Sequence, residues 1–327
     1  MITRNQLVND REKCRDKALG CLGGLAVGDT LGELARSDVY RERYGVISDL
    51  YGNTQSTDDT EFAVLTAKIV LASGGHLTDE IVHAHWMQHI VEEGIQSRSG
   101  LVSLGARANL QRGMRAPLSG QDNCHNYDDG VAMRIAPVGI AWAGDPKQAA
   151  AMAEVDGRIS HDRDGIWAGN AVAASIAVAM ADGTVDEVIQ AGLDEIPDDS
   201  WLGRAVATAL CICDEEKTLE SSWERLHDEL WQPYRAAAPE AIAQTYGLLR
   251  LVGERGFKAC VVAGSNFGRD ADTLGAVLGA ICGAMYGASA IPDGWIEQVR
   301  QPRGVCLPFA AQYDIIDLAS QLAELIR

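Results

Sequence analysis

The stretch Leu274-Gly-Ala-Val-Leu-Gly-Ala-Ile-Cys-Gly-Ala-Met-Tyr-Gly287 is apolar and small, with glycine at 275, 279, 283 and 287. Glycine inside a helix costs roughly 1 kcal/mol against alanine, so four on one stripe need a compensating contact. A ridge without side chains lets a second helix approach backbone to backbone, as small-residue stripes do in membranes. A matching stripe lies near the N-terminus, where Gly20, Gly24, Gly28 and Gly32 keep the same spacing. The two ridges are expected to touch. Their contact would carry Asp29 towards Asp270 and Asp272, in the loop Gly264-Ser-Asn-Phe-Gly-Arg-Asp-Ala-Asp-Thr273 before the second ridge.

The chain has 327 residues, long enough for a substantial core. Hydrophobic residues make up 47% and aromatics 6%, so Ala, Val, Leu, Ile and Gly must fill the interior, which suits closely packed helices. The 46 acidic residues against 28 basic ones give a formal charge of −18. That field repels nucleic-acid phosphates and anionic membranes, so neither is expected as a partner. It suits a cation-binding protein, and equally a merely soluble surface. The eight cysteines show no CxxC pair and no zinc spacing. Cys21, Cys260 and Cys282 lie on apolar stretches and read as buried free thiols in a reducing compartment. The N-terminus MITRNQLVNDREK lacks the apolar core of a signal peptide, and no long apolar run reads as a membrane span. The expected location is cytoplasmic.

A first helix is predicted from Asp10 to about Leu31. A loop through Leu50-Tyr-Gly-Asn leads to Ser56-Thr-Asp-Asp-Thr-Glu61, a helix start with a Ser/Thr cap and an acidic first turn, stopped at Gly74-Gly75. Thr78 opens another helix, and Arg112 to Gly130 reads as an ordered surface loop. Helical spacing supports 131–142, 146–155, 165–182, 184–192, 201–216, 239–253 and 311–326. The prediction is an all-α protein, a single compact multi-helix domain over 1–327 with no linker. One rival exists: the apolar run from Ala259 followed by a glycine loop and a helix also looks like a strand–loop–helix nucleotide site. The remaining chain offers few further strands.

Two acidic clusters stand out, Thr57-Asp58-Asp59 and Asp270-x-Asp272-Thr273. Hard divalent cations take oxygen ligands, carboxylates first, with hydroxyls and waters completing the shell. Four carboxylates and two threonines from opposite ends of the chain could make a two-metal site. Separately, each cluster reads more simply as helix-end chemistry; together, beside the glycine ridges, they favour a site. His161, in a polar loop before an apolar helix, reads as a ligand contact, a general acid or base, or a loop stabiliser, and spacing favours the last. His85 and His89 are four apart, but no third ligand follows, so His83, His85 and His89 read as a half-exposed helix face. Asp128-Asp129-Gly130 reads as either a turn or the rim of a pocket.

Five segments in order resemble the ADP-ribosylglycohydrolase family, of the dinitrogenase-reductase-activating type. They are Gly24-Leu-Ala-Val-Gly-Asp-Thr-Leu-Gly32, Ser56-Thr-Asp-Asp-Thr60, Ala132-Met-Arg-Ile-Ala-Pro-Val-Gly139, Ser160-His161 with Gly165, and Asn266-Phe-Gly-Arg-Asp-Ala-Asp-Thr273. The resemblance implies an all-α fold and two Mg²⁺ or Mn²⁺ ions held by Thr57, Asp58, Asp59, Asp270, Asp272 and Thr273. It implies cleavage at the anomeric carbon of a ribose, with ADP-ribose or a related riboside as ligand and an ADP-ribosylated protein as partner. His161, Asn266, Gly268, Gly130 and Met133 would contact substrate. Asp58, Asp59 and Asp270 would serve catalysis. The sequence departs from the family at two positions. The glutamate usual seven residues after Asp29 is Arg36, for which Glu33, one helical turn earlier, is the candidate substitute. Arg269 replaces a usually small residue, where it could grip phosphate or carboxylate or pair with an internal aspartate. The alternatives are a hydrolase of a small N-ribosylated metabolite and a non-catalytic ADP-ribose-binding, crystallin-like protein.

Overall fold

The computed structural model describes residues 1–52, 55–96 and 99–327. The helices that position the site are α1 (Arg11–Ala35), α2 (Asp58–Ser73), α3 (Leu101–Gln111), α4 (Asp164–Met180), α5 (Ala238–Val252), α6 (Phe257–Asn266) and α7 (Ala271–Tyr286). Among the described residues no strand forms; Asp128 and Ala237 make an isolated antiparallel bridge. The all-α expectation holds.

α1 and α7 run antiparallel with their bare ridges in contact. A methyl placed on Gly20, Gly24 or Gly28 would come well under 3.0 Å from the carbonyl oxygen of Gly283, Gly279 or Gly275 respectively, and the reverse substitutions meet the reciprocal carbonyls. Gly32 meets the backbone at Ala271 and Asp272 in the same way, which carries the register to the start of α7. Backbones this close are held by dispersion and Cα–H···O contacts, which offset the poor helix propensity of glycine. Gly287 keeps its backbone against Gly20 but stands just beyond the helix. It ends α7 at φ 79° and lies against Asp16.

α1 starts at its Asp10 cap, whose side chain accepts from Lys13 N, and continues four residues beyond the predicted end. α2 starts at Asp58 and stops at Gly74 in the left-handed conformation where predicted, but Thr57 at the cap position makes no side-chain capping bond, because its hydroxyl is given to Asp29. The expected loop before α2 includes Asn53, which lies outside the described residues. The strand–loop–helix alternative fails because residues 257–266 form α6. Its buried residues Phe257, Cys260, Val261 and Gly264 follow helical spacing, so the apolar run concealed a period of 3.6. The segment 131–142 divides into a 3₁₀ turn, Ala132–Arg134, and a helix, Ala136–Ala141, with Pro137 in the first turn. Residues 311–326 give a shorter helix, Ile315–Ala323, behind a 3₁₀ turn. α3 and the helix Leu219–Asp228 carried no clear sequence signal.

One apolar cluster extends from Leu7 to Ile326. Cys21, Cys260 and Cys282 are buried in it as free thiols, as expected. Glu61 is also buried, and its carboxylate accepts three backbone N–H groups, from Val305, Cys306 and Leu307, at 2.6–2.8 Å. This pins the C-terminal segment to α2. No helix among the described residues is long and apolar enough to cross a membrane.

Neighbouring glycines of α1 separate ridge contact from helix propensity. Replacement by alanine favours the helix equally at Gly23 and Gly24. At Gly24 the methyl meets the Gly279 carbonyl, whereas at Gly23 it meets only the flexible Ile296 side chain at 3.1 Å. Urea denaturation should show Gly24→Ala losing about 2–3 kcal/mol and Gly23→Ala changing by less than about 1 kcal/mol. Equal effects would contradict a tight backbone contact.

Candidate metal centre and active-site cavity

The ridge contact delivers Asp29, near the C-terminal end of α1, to the N-terminus of α2. Asp29 is fully buried and accepts four hydrogen bonds: from Thr57 N at 2.8 Å and Oγ1 at 2.7 Å, and from Thr60 N at 3.1 Å and Oγ1 at 2.6 Å. The first turn of α2 is therefore clamped onto α1, and the Thr57 hydroxyl spends its proton on Asp29. Its oxygen keeps lone pairs for another partner. Burial pushes the Asp29 carboxyl up to about 7, against the lowering effect of the two threonines.

Beside this clamp opens a cavity of about 510 Å³, within the usual range for small-molecule sites. Its walls carry six carboxylates, Asp58, Asp59, Asp128, Asp129, Asp270 and Asp272, against three guanidinium groups, Arg36, Arg235 and Arg269. The excess of negative charge is large for so enclosed a place. Burial, reinforced by neighbouring carboxylates, holds Asp59, Asp129 and Asp270 well above the ordinary carboxylate range and brings Asp58 to about 7. Met133 lends an apolar patch, and Ser99 to Ser103, at the start of α3, closes one side.

Asp128 and Asp129 come from a turn that is also the rim of the cavity, so both readings of that segment hold. Asp128 accepts from Gly130 N at 2.8 Å and from the Tyr234 hydroxyl at 2.5 Å. Asp129 N donates to Ala236 O at 2.9 Å, across the isolated bridge. Behind this turn Arg134 is buried and donates to Asp156, Gly130 O and Ser160. A buried charge so fully bonded fixes the backbone that presents the acids.

The donor set suits a hard divalent cation. Asp59 Oδ2, Asp129 Oδ2 and Asp272 Oδ1 are buried and have no hydrogen-bond partner, and buried carboxylate oxygens without partners are costly. A divalent cation would meet that cost. The side chains are nevertheless not yet placed around one: among the described residues, no three of the His, Cys, Asp or Glu side chains are positioned to hold a single ion. Arg36 explains part of this. Its guanidinium bonds Asp272 and lies 4.0 Å from Asp270 and 3.9 Å from Glu33.

Asp58, Asp59, Asp270, Asp272, Thr273, Met133 and Arg269 all line the cavity. Other expected site residues are placed differently. His161 does not line it: its side chain is wholly buried, Nδ1 pairs with Ser160 Oγ at 2.8 Å, and Nε2 lies 3.7 Å from Asp128. Its ring packs behind Asp128 with Nε2 left without a hydrogen bond, and burial keeps its pKa below the usual histidine value. Gly130 contributes only backbone, accepting from Arg134 and donating to Asp128. Asn266 is consumed by the chain, bonding both N and O of Ile47 and the carbonyl of Val262. Glu33 turns to Arg36 and lies outside the cavity wall. Arg269 pairs with an internal acid, but Glu240 rather than an aspartate, and also bonds Gln232 O. His89 is buried more than its helical spacing indicated, stacked on Phe309 at 4.0 Å. Asp129 stood in the sequence only as part of a turn or pocket rim, without a role, and Tyr234 and Arg235 carried no signal at all.

The crowding of these carboxylates has a pH consequence. Groups whose folded-state pKa is raised stabilise the fold below their ordinary pKa, and that contribution is lost as pH rises through the folded value. Here the window runs from about 4 upward past about 7. Without divalent ions the four acids should therefore lower stability across it. Addition of Mn²⁺ should raise the thermal midpoint little at pH 5 and most at pH 8. Calorimetry at the two pH values checks this; equal gains would argue against cation binding at these acids.

A model of the ADP-ribosylglycohydrolase family matches residues 10–327. The chain is 27% identical over 301 residues to the ADP-ribosyl-[dinitrogen reductase] glycohydrolase of Rhodospirillum rubrum, covering 87% of this chain and 90% of that protein. It is 22% identical over 329 residues to the ADP-ribosylarginine hydrolase Tri1 of Pseudomonas putida, covering 96% of this chain and 81% of that protein. A solved structure described as an ADP-ribosylglycohydrolase-related protein complex superimposes with a TM-score of 0.67 at 20% identity, over 97% of this chain and all of the other. Fold and sequence converge, and the chain belongs to the ADP-ribosylglycohydrolase family.

Proposed function

We propose that the protein is a divalent-cation-dependent hydrolase of the bond between the anomeric carbon of ribose and its leaving group in ADP-ribosylated substrates. Family membership places it among hydrolases of glycosyl bonds. The observation that carries the metal-dependent reading is the acidic cavity with three orphaned carboxylate oxygens, drawn from three separate parts of the chain. Thr57, Asp58, Asp59, Asp270, Asp272 and Thr273 would hold Mg²⁺ or Mn²⁺. When bound, such ions supply positive charge that orders vicinal ribose hydroxyls and polarises water.

The chain's own residues do the rest. With a ribose bound in this cavity, the carboxylates would stabilise the positive charge that develops at its anomeric centre. Met133 offers an apolar surface to the sugar face. The first turn of α3 presents backbone N–H groups suited to a phosphate. Asp29 keeps Thr57 in place, and the Gly130 N–H and Tyr234 hydroxyl keep Asp128 in place, so the wall is organised before substrate arrives.

Asp59→Ala and Asp270→Ala should each lower metal-dependent release of ADP-ribose by about 10²–10³-fold or more. Because each change removes a crowded carboxylate, both variants should unfold at the same or a higher temperature in the absence of divalent ions. Activity near that of the parent would overturn the assignment. Comparing release from ADP-ribosyl-arginine with release from simple N-ribosides decides between a protein-derived substrate and a small metabolite.

A further inference from the structure

A second cavity, of about 250 Å³, adjoins the acidic one and has the opposite character. Four arginines, Arg36, Arg41, Arg235 and Arg269, line it, and among the described residues no acidic side chain does. In a chain of charge −18 this is an unusual concentration of positive charge. Gly268, at φ 98°, forms part of its wall in a backbone conformation that strains any other residue. Arg36, Arg235 and Arg269 line both cavities and so form the wall between them.

Across that wall each cation leans on an acid. Arg36 bonds Asp272, Arg235 lies 3.3 Å from Asp270, and Arg269 is held by the buried Glu240. Arg41 faces only the exposed Asp38, a pairing of little worth in water. If a hard cation takes Asp270 and Asp272, Arg36 and Arg235 lose their compensating charges. Their remaining N–H donors then face the second cavity, where planar guanidinium groups match the oxygens of phosphate or carboxylate two at a time.

We propose that this second cavity is an oxyanion subsite, taking a phosphate or carboxylate of the molecule whose ribose sits at the acidic centre. The proposal rests on the glycosidase reading for its partner cavity but concerns binding alone. It implies that the subsite disfavours a cationic guanidinium leaving group and favours an anionic or phosphorylated substrate. Cation and oxyanion should bind cooperatively, since each neutralises what the other leaves exposed.

The test is calorimetric titration of inorganic phosphate into the full-length protein, with and without Mg²⁺. Saturable binding, several-fold tighter with Mg²⁺, is expected. The Arg41→Ala/Arg235→Ala double variant should bind at least tenfold more weakly; both side chains are more than half exposed, so the fold should persist. Arg15→Ala, paired with Glu324 on a distant surface, should leave binding unchanged. No saturation in either condition, or equal weakening by the Arg15 change, would overturn the subsite. Neither result depends on turnover, so the glycosidase reading stands or falls separately on the Asp59 and Asp270 variants. Repeating the titration with ADP-ribose present assigns the oxyanion: displacement means that it is a phosphate of ADP-ribose, simultaneous binding that it belongs to the leaving group. Both results support the subsite.

Discussion

The backbone of α1 lies directly on the backbone of α7, and the rest of the site depends on that closeness. Gly20, Gly24 and Gly28 face the carbonyls of Gly283, Gly279 and Gly275, and the spacing of four on both helices keeps each pair in register. Any side chain on this stripe would push the axes apart. The consequence is felt a full helix length away from the most distant pair, because the same register brings Gly32 against Asp272 at the start of α7. Two acidic loops more than two hundred residues apart in sequence thereby share one cavity.

That proximity creates an electrostatic problem which the structure resolves only in part. Asp29 is satisfied by four hydrogen bonds and serves as a clamp. Asp128 is held by a backbone amide and a tyrosine hydroxyl. Asp59, Asp129 and Asp272 each keep an oxygen without a partner. The fold spends its hydrogen bonds on the supporting shell and leaves these oxygens without one, which is the feature on which the proposed cation binding rests. Sites commonly retain such local instability, with stability supplied elsewhere; here the alanine- and glycine-rich core supplies it.

Arg36 and Arg269 show how a departure in sequence acquires meaning from its surroundings. Both read as cations introduced near an acidic centre. Arg269 turns away to Glu240 and Gln232, adopting φ 56° at a loop position where a side chain is normally disfavoured. Arg36 turns inward to Asp272. With Arg235 they separate a negative compartment from a positive one within a few residues' width. Opposed potentials this close favour a ligand that is itself divided in charge.

The glycine ridges, the helical class, the starting points of α1 and α2 and the acids at 58, 59, 270 and 272 were all legible in the residues. Each is governed by local rules: helix periodicity, cap chemistry and the cost of glycine without a contact. Pairwise spacing also named the two helices that meet. Whether a polar side chain faces the cavity or the chain behind it was not legible. His161, Asn266 and Glu33 carry the same chemistry in either orientation, and only packing against Asp128, Ile47 and Arg36 chose. Tyr234 and Arg235 join the site through a single bridge between residues 128 and 237, a contact with no local signature. The amino-acid sequence by itself determined which surfaces could approach, because backbone sterics are written residue by residue. The tertiary structure alone decided which charges would face one another, because electrostatic partners are set by distance in space and by the solvent that folding removes.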